Sequence, residues 1–382
     1  MKKNQRLYDV LSKYGCDTAV LSLPENVLHA SGMVNLPNTY AVGFFNWSLP
    51  LATVIINVKE QKEALYIPDS VLQNAKKYSF FENIITYCPY KLEKMLNPAE
   101  EYVKGFKEVF KEYGCEGKTA VEPSLPHIIR EAIGSVYPKT AFTDASKELF
   151  ESKMVKAPWE IERMKKAAVI CDSAFLKLNE LSHDGAGKSE LALWREIFGA
   201  MVDTAGKNVH ISGELVTGER SFNSSYPGGP IDRIVNLGDV GIMDMSVRYM
   251  GYWCDCCNVV SFGKRNDVQL RLFNTIYNAY EYMKRALKPG ATASEVYAAS
   301  EKAYTENGYE CPHYIGHAIG TGLNDMPKII PCDDTVIEEG MTFSMEPGIY
   351  KENMGLRIEK MLLVTKDGCE EFNKFNWGVY EW

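Results

Sequence analysis

The sequence of 382 residues lacks the features that would indicate a membrane, a nucleic acid or a secreted protein. No apolar run approaches the roughly 20 residues that a transmembrane helix needs. The basic N-terminus leads into a short amphipathic stretch and not into an apolar signal core. Positive charge is not in excess either, since 42 Lys and Arg stand against 50 Asp and Glu, for a net charge of −8. We therefore expect a cytoplasmic protein with neither a membrane nor a nucleic acid as partner.

Matched CxxC pairs are also missing, although ten cysteines are present. Most of them are scattered, which is typical of reduced thiols packed as small hydrophobes. Three surround Asp255: strand alternation would put Cys257 on the face of Asp255, and Cys254 and Cys256 on the opposite face. A soft-metal site would need thiolates that converge from separate elements. We therefore interpret these three cysteines as packing residues.

The length of the chain predicts two domains. Helix and strand patterns alternate over residues 1–150, which predicts an α/β domain. Residues 151–382 form the second expected domain, in which Pro158 opens a long helix and the pair Thr292 and Glu295 makes a capping box for another. These helices interleave with two strand pairs. We expect an α+β domain with helices packed on one face of a curved antiparallel sheet.

Two pairs of acidic residues lie in these strand pairs. Residues 240–247 and 252–262 predict a hairpin, and a turn centred between Tyr249 and Met250 would put Asp244 opposite Asp255. Opposed side chains in an antiparallel pair have Cβ atoms about 5 Å apart, so two carboxylates there need a proton or a cation between them.

The second strand pair repeats this arrangement. Residues 342–350 and 356–365 are strand-like, with a turn over 351–355, and Glu346 is expected near Glu359. His317 lies between the two acidic pairs in the run Ile-Gly-His-Ala-Ile-Gly of residues 315–320. Four carboxylates and one imidazole are a ligand set that suits two divalent cations.

In these segments the chain resembles the pita-bread metallohydrolases, the family of Xaa-Pro dipeptidases (prolidases), Xaa-Pro aminopeptidases, methionine aminopeptidases and creatinases. The motifs that carry the resemblance are residues 243–245, 251–255, 315–320, 345–350 and 356–359. Residues 24–32 and 156–164 are similar to the prolidase and creatinase branch. The resemblance implies a pita-bread catalytic domain over 151–382, a creatinase-like α/β domain over 1–150, and a homodimer.

The resemblance also implies the ligands and the chemistry. Two divalent ions would be bound by the set Asp244, Asp255, His317, Glu346 and Glu359. Mn²⁺ is the expected metal, with Co²⁺, Fe²⁺ or Zn²⁺ as alternatives, because the ligand types alone do not decide. A hydroxide shared by the ions would attack a C–N (peptide) bond, and Glu346 would pass the proton to the leaving nitrogen.

Three further residues are candidates for the site. His313 lies four residues before His317, where it either lines the substrate pocket or is a core histidine. His210 either replaces one of two imidazoles that relatives carry near the substrate and this chain lacks, or lies in a surface loop. Arg357 shares the strand face of Glu359 and is suited to bind a carboxylate or to orient a ligand.

Two departures from the family pattern leave the substrate open. Relatives carry two further imidazoles near the substrate, and these positions fall here on Pro227 and Asn324. The leading hypothesis is a dinuclear hydrolase of the Xaa-Pro dipeptidase type that acts on small peptides. The first alternative is an enzyme that hydrolyses a C–N bond in a small metabolite, as creatinase and ectoine hydrolase do, and Pro227 and Asn324 favour it. The second alternative is a binding protein with a vestigial site.

Overall fold

Two units make up the fold, Met1–Lys153 and Met154–Trp382. They are seen in a computed structural model that describes residues 3–34, 49–222 and 229–378. Among these residues, no helix is long and apolar enough to cross a bilayer.

The first unit is built around a six-stranded sheet. Its elements in chain order are α1 (Gln5–Lys13), β1 (Thr18–Leu21), α2 (Pro24–Ser31), β2 (Thr53–Asn57), β3 (Lys62–Pro68), α3 (Leu72–Tyr78), β4 (Ile84–Tyr87), α4 (Pro98–Tyr113), β5 (Lys118–Val121), α5 (His127–Val136), β6 (Ala141–Asp144) and α6 (Ser146–Met154). The strand order is β4-β3-β2-β1-β5-β6, with β1, β2 and β3 antiparallel and the other neighbours parallel.

Both faces of this sheet are covered by apolar side chains. Ala19 and Leu21 belong to one core, whereas Val20 between them belongs to the other. Strands buried on both faces are near-continuous runs of apolar residues, which is the pattern that the sequence shows here. The α/β character expected for the first part of the chain is confirmed.

The second unit combines long helices with short antiparallel sheets. Its elements are α7 (Pro158–Asp184), α8 (Glu190–Ala205), β7 (His210–Thr217), β8 (Val240–Tyr249), β9 (Tyr252–Ser261), α9 (Asp267–Ala286), α10 (Ala293–Glu306), β10 (Gly316–Ala318), β11 (Asp325–Lys328), β12 (Thr342–Met345), β13 (Gly348–Lys351), β14 (Met354–Arg357), β15 (Lys360–Thr365) and β16 (Gly368–Glu371). The sheet orders are β7-β8-β9, β11-β10-β12-β15-β16 and β13-β14.

The helices of this unit begin where the sequence predicts. Pro158 occupies the first turn of α7. Before α10, the Thr292 side chain accepts from the Glu295 N–H at 3.2 Å, and the Glu295 carboxylate accepts from the Thr292 N–H at 2.9 Å. This capping box satisfies two N–H groups that the first turn leaves without helical partners.

A backbone bridge joins the sheets at the point where the acidic residues meet. The N–H of Cys257 donates to the carbonyl of Glu359 at 3.2 Å, and the N–H of Glu359 donates to the carbonyl of Cys257 at 2.8 Å. The bridge brings the segment between β14 and β15 against β9, so Glu359 and Asp255 come from different sheets to one place. The expected α+β architecture of this part of the chain is confirmed.

The register of the first hairpin differs from the prediction. Tyr249 pairs with Tyr252, and Met250 and Gly251 alone form the turn, with φ of 50° and 86°. A two-residue turn with both φ values positive matches the twist of the flanking strands. Asp244 therefore pairs with Cys257, and Asp255 pairs with Ser246. The predicted direct opposition of Asp244 and Asp255 is wrong, but the pairing shifts by an even number of residues, so both carboxylates stay on one sheet face as diagonal neighbours.

The second hairpin is interrupted where its acidic residues lie. Met345 pairs with Lys360 in one sheet, and Gly348 pairs with Arg357 in another. Glu346 and Glu359 face each other in the gap between these two pairings. The turn is Glu352 and Asn353 alone, with φ of 55° and 60°, and is shorter than the expected turn over 351–355.

Candidate metal centre

A cavity of about 400 Å³ in the second unit brings the acidic residues and the imidazole together. Its walls include all five candidate ligands, namely Asp244, Asp255, His317, Glu346 and Glu359. They come from β8, β9, β10, the residue after β12 and the residue before β15. Two hairpins and one short strand thus bring together side chains that are up to 115 positions apart in the sequence.

His317 lies at the middle of this set. Its Nε2 is 3.7 Å from Asp255 Oδ2, 3.6 Å from Glu346 Oε1 and 3.9 Å from Glu359 Oε1. Its Nδ1 lies 3.0 Å from the carbonyl oxygen of Ala318, which can only accept, so Nδ1 carries the proton of the neutral ring. The Nε2 lone pair therefore faces the carboxylates. Burial lowers the pKa of His317 to about 4, so the ring is neutral at pH 7, as a metal ligand must be.

Three of the four carboxylates have raised pKa values. Burial is the main cause for Asp255, Glu346 and Glu359, and the pKa of Glu346 rises to about 8. The charge of Asp244 adds to the shift in the pKa of Asp255, and the charge of Asp255 adds to the shift in the pKa of Glu359. Carboxylates this close cannot all be ionised unless positive charge lies between them.

Glu359 shows most directly that the residues fit a cation. Its side chain is 1% exposed, and neither carboxylate oxygen makes a well-formed hydrogen bond to a described residue. The nearby Ser344 hydroxyl, which donates to the Asp255 carbonyl, only partly offsets the rise in the pKa of Glu359. A buried carboxylate without partners is costly unless it is paired or coordinates a metal. Atoms of Asp255, His317 and Glu359 lie within 4.8 Å of one another. Hard oxygens with one imidazole suit a divalent cation.

Arg357 holds Asp244 at the edge of the cavity. Its Nη2 donates to Asp244 Oδ2 at 2.6 Å and to Glu214 Oε1 at 3.0 Å, and its Nη1 donates to the Tyr350 hydroxyl at 3.0 Å. One guanidinium thus neutralises and orients two carboxylates, the buried one of Glu214 and the half-buried one of Asp244. The structure places Arg357 as a partner of a candidate ligand.

Residues 162–366 match the family model described as metallopeptidase family M24, which is more than half of the chain. The chain belongs to this family. It is 25% identical over 377 residues to a Xaa-Pro dipeptidase of Pyrococcus horikoshii, with 98% of this chain and 97% of that protein covered. It is 30% identical over 268 residues to a probable dipeptidase of Mycobacterium tuberculosis, with 68% and 69% covered.

Solved structures have the same fold as this M24 chain. The prolidase from Pyrococcus horikoshii OT3 matches with a TM-score of 0.78 at 23% identity, covering 99% of each chain. An X-Pro aminopeptidase from Thermotoga maritima also matches with a TM-score of 0.78 at 23% identity, covering 100% of this chain and 99% of that one. The expected pita-bread fold and the expected class, a metal-dependent hydrolase of the peptidase type, are confirmed.

The two other candidate histidines lie in different places in this M24 fold. His313 lines the cavity, with its Nε2 3.4 Å from the Tyr350 hydroxyl, and burial lowers its pKa. His210 pairs with Arg248 at the far end of β7, and its ring packs edge-on against Trp253 with centroids 5.2 Å apart. His210 is not among the residues that line the cavity. His210 therefore lies in the ordered strand β7 and not in a surface loop. Because it does not line the cavity, the structure gives no support to a role as a replacement imidazole.

Of the two positions that differ from the family pattern, one is described. Asn324 lines the cavity, and its Nδ2 donates to the Tyr314 hydroxyl at 3.2 Å. Pro227 lies outside the described residues.

Tyr314 is a cavity residue that the sequence analysis missed. Its ring centroid is 6.3 Å from that of His317, and Lys328 Nζ lies 5.3 Å from the ring. Its hydroxyl bonds to Glu346 and thereby opposes the rise in the pKa of that carboxyl. Asn324, Tyr314 and Glu346 therefore form a chain of hydrogen bonds that ends on a candidate ligand. The only signal in the sequence is the position of Tyr314 three residues before His317, in the segment that leads into β10.

Glu214 was missed as well. It precedes the apolar residues Leu215 and Val216 in β7, and it pairs in register with Asp244. A single carboxylate inside a strand, directly before the apolar Leu215 and Val216, is the signal that could have identified it, because such a group needs a cationic partner.

Proposed function

We propose that this M24 protein hydrolyses the peptide bond of small Xaa-Pro dipeptides with two divalent cations, Mn²⁺ by preference. The cations would be held by Asp244, Asp255, His317, Glu346 and Glu359. The observation that carries the proposal is the convergence of His317 Nε2 and three carboxylates with raised pKa values in one cavity. The similarity to a Xaa-Pro dipeptidase and to a probable dipeptidase supports Xaa-Pro dipeptides as the substrate.

Each candidate ligand has a place in this proposal. Asp255 and Glu359 would be shared between the two ions, Asp244 would complete one, and His317 with Glu346 would complete the other. The bound cations supply Lewis acidity, which activates a water and polarises the scissile carbonyl. Burial keeps His317 neutral, and the bond from its Nδ1–H to the Ala318 carbonyl leaves Nε2 free to bind a cation. Arg357 keeps the carboxylate of Asp244 directed into the cavity.

Glu346 is the proposed carrier of the proton. In the metal-free protein burial raises its pKa to about 8. A bound cation opposes this rise, so the carboxyl would be ionised at neutral pH and able to accept a proton from the attacking water. Tyr314, which accepts from Asn324, orients Glu346 by hydrogen bonding to it. Glu346 would take the proton of the attacking water and deliver it to the leaving nitrogen. This step needs no imidazole at position 324.

The test compares matched dipeptides. The full chain is stripped with a chelator and reloaded with Mn²⁺, and product release is measured for Xaa-Pro dipeptides and for Xaa-Ala dipeptides with the same first residue. We expect turnover of the Xaa-Pro series only with metal. The variant Glu359→Gln should lose at least about 10³-fold in kcat. Glu352→Gln, a half-exposed glutamate in the β13–β14 turn, is the control and should leave kcat unchanged. Binding of Mn²⁺ without hydrolysis of any dipeptide would contradict the proposal.

A second candidate is a non-peptidase hydrolase that cleaves a C–N bond in a small metabolite. The observation that favours it is Asn324, a neutral amide that lines the cavity where the family resemblance implies an imidazole. The same Mn²⁺-loaded protein is offered amidine-type and guanidine-type compounds, and amine or ammonia release is measured. Turnover of these compounds with no turnover of dipeptides would favour the second candidate. Failure to bind Mn²⁺ at all would point to a binding protein with a vestigial site.

We also propose that the chain works as a homodimer in the cytoplasm. The family resemblance supports the dimer, and the free state of all ten cysteines fits a reducing compartment. Light scattering on a gel-filtration column would test the first point, with the mass of two chains as the expected result.

A further inference from the structure

Three buried thiols converge on the side of β9 that faces away from the carboxylates. Cys171 comes from α7, and Cys254 and Cys256 come from β9. All three side chains are fully buried. Their sulfur atoms lie within 4.8 Å of one another, and the Cys254 and Cys256 sulfurs are 3.3 Å apart. From the sequence, Cys171 was expected to be one of the scattered thiols, and Cys254 and Cys256 were expected to be packing residues, because a soft-metal site needs thiolates that converge from separate elements. The structure supplies that convergence, since α7 packs its thiol against β9.

The spacing of the sulfurs suits one small cation. A metal–sulfur bond of about 2.3 Å puts the three sulfurs of a trigonal site about 4 Å apart. Zinc in structural sites takes four ligands in a tetrahedron. The group at this place offers three ligating atoms among the residues that the structure describes. Soft thiolates with no fourth donor favour copper(I) over zinc.

One of the three sulfurs has an N–H donor directed at it. The Asn373 amide donates to Cys254 Sγ at 3.7 Å, and the same amide donates to Asp172 at 2.9 Å, which fixes its orientation. The Cys171 thiol donates to the carbonyl of Met245 at 3.7 Å and would have to lose this proton when a metal binds. An N–H aimed at a sulfur stabilises a thiolate, and thiolate is the form that binds a metal.

The thiol cluster is separate from the carboxylate centre. Asp255 lies between Cys254 and Cys256 in the sequence, and strand alternation directs it to the opposite face. Cys257, on the face of Asp255, contacts the carbonyl of Arg357 at 3.3 Å and does not join the cluster. The two sites share a strand and no ligand. Hard cations would therefore bind at the carboxylate centre, and soft cations would bind at the thiol cluster.

We propose that Cys171, Cys254 and Cys256 form a binding site for one copper(I) ion on the back of the strand that carries Asp255. The site is independent of the dipeptidase proposal, because none of its ligands lines the cavity.

The test uses the full chain with Mn²⁺ bound, reduced and free of oxygen. Copper(I) is presented as its coloured complex with bicinchoninate, and transfer to the protein is followed by loss of that colour. We expect transfer of one copper per chain. X-ray absorption of the loaded protein should show three sulfur neighbours at about 2.3 Å. No transfer of copper, or a first shell of nitrogen and oxygen, would overturn the proposal.

Variants locate the copper. Cys256→Ser should weaken copper binding at least about 100-fold, whereas Cys369→Ser, a half-buried cysteine in β16, should leave it unchanged. Unchanged binding by folded Cys256→Ser would overturn the proposal. A second variant keeps the test decisive if Cys256→Ser does not fold: Cys88, Cys311, Cys332 and Cys369 are replaced together by serine. That variant should still bind one copper, and loss of binding in it would overturn the proposal as well.

Discussion

At the scale of single residues, the carboxylate of Glu359 destabilises the metal-free fold and would stabilise a bound cation. Its two carboxylate oxygens are buried without a well-formed hydrogen bond to a described residue. Burial together with the charge of Asp255 raises its pKa, and the Ser344 hydroxyl only partly offsets this rise. Such a group destabilises the metal-free fold. It becomes favourable when a cation lies against it. A residue of this kind is expected where binding, and not stability, has determined the side chain.

Glu359→Gln should therefore change stability and binding in opposite directions. The amide keeps the shape of the side chain and removes its charge, so we expect the metal-free protein to gain about 1–3 kcal/mol at pH 7.5. Affinity for Mn²⁺ should fall at least about 100-fold. Urea unfolding in a chelator and titration calorimetry measure the two quantities. Glu352→Gln, at the β13–β14 turn, is the control and should change neither. A loss of stability in metal-free Glu359→Gln would show that the carboxylate has a partner in the native fold.

Tyr314→Phe tests a second residue, one that acts through Glu346. Loss of the hydroxyl removes the hydrogen bond that opposes the raised pKa of Glu346. We expect kcat toward the substrate to fall about 10–100-fold with little change in KM. The acidic limb of the kcat profile should move to higher pH. Tyr277→Phe, on the partly exposed face of α9, is the matched control. An unchanged pH profile with a lower kcat would mean that Tyr314 does not position Glu346.

At the scale of elements, the two hairpins show how far sequence predicts this site. Apolar strands and turn residues predicted both strand pairs and placed each acidic residue on the correct face. The alternation of apolar and polar residues could not predict which residue pairs with Asp244. Two registers that differ by an even number of residues put the same side chains on the same sheet face, so both registers fit the alternation. The two-residue turn at Met250 and Gly251 determines the register of β8 against β9. Methionine at the first turn position gave no signal for it.

The sequence predicted Arg357 as a residue that binds a carboxylate or orients a ligand, but it could not predict the partners of Arg357, for a different reason. Arg357, Glu214 and Asp244 are joined by hydrogen bonds across more than 100 positions of the chain. Pairing of this kind depends on how β7, β8 and β14 meet. No spacing within one element encodes it. The same holds for Cys171, whose thiol meets β9 only because α7 packs there.

The turn of the first hairpin is itself open to a test. Met250 has φ of 50°, a conformation that costs a residue with a Cβ roughly 1–2 kcal/mol. Asn adopts it more readily, and Asn-Gly is the preferred pair for this turn. Met250→Asn should therefore stabilise the protein by about 0.5–1 kcal/mol without altering kcat. Gly251→Ala, at φ of 86°, should destabilise it. Chemical unfolding at fixed metal concentration measures both. Destabilisation by Met250→Asn would argue against this turn.

At the scale of the whole molecule, the acidic centre makes stability depend on pH. Glu346, with a pKa of about 8, binds a proton in the folded state between pH 6.5 and 8, whereas an unfolded glutamate does not. The raised pKa values of Asp255 and Glu359 act in the same direction. His317, with a pKa of about 4, has the opposite effect, but only below the pKa of an unfolded histidine, near 6.5.

The folded state therefore binds more protons than the unfolded state above pH 6.5, so the free energy of unfolding falls as pH rises. For the metal-free protein we expect a loss of about 1–2 kcal/mol between pH 6.5 and 8. Saturating Mn²⁺ should abolish this loss, because the bound carboxylates stay ionised. Glu346→Gln should reduce the slope in the absence of metal, and Asp255 and Glu359 should account for the slope that remains. Urea unfolding in chelator across this range measures the effect, and a free energy of unfolding that rises with pH would contradict it.

The most direct measurement is anomalous diffraction at the manganese edge from crystals of the full chain grown with Mn²⁺. We predict two peaks about 3–4 Å apart, as in two-metal sites generally. Both peaks should lie within bonding distance of Asp255 and Glu359, with His317 and Glu346 on one ion and Asp244 on the other. Crystals that contain Mn²⁺ but show no peak among these five side chains would contradict the proposal that they hold a pair of cations.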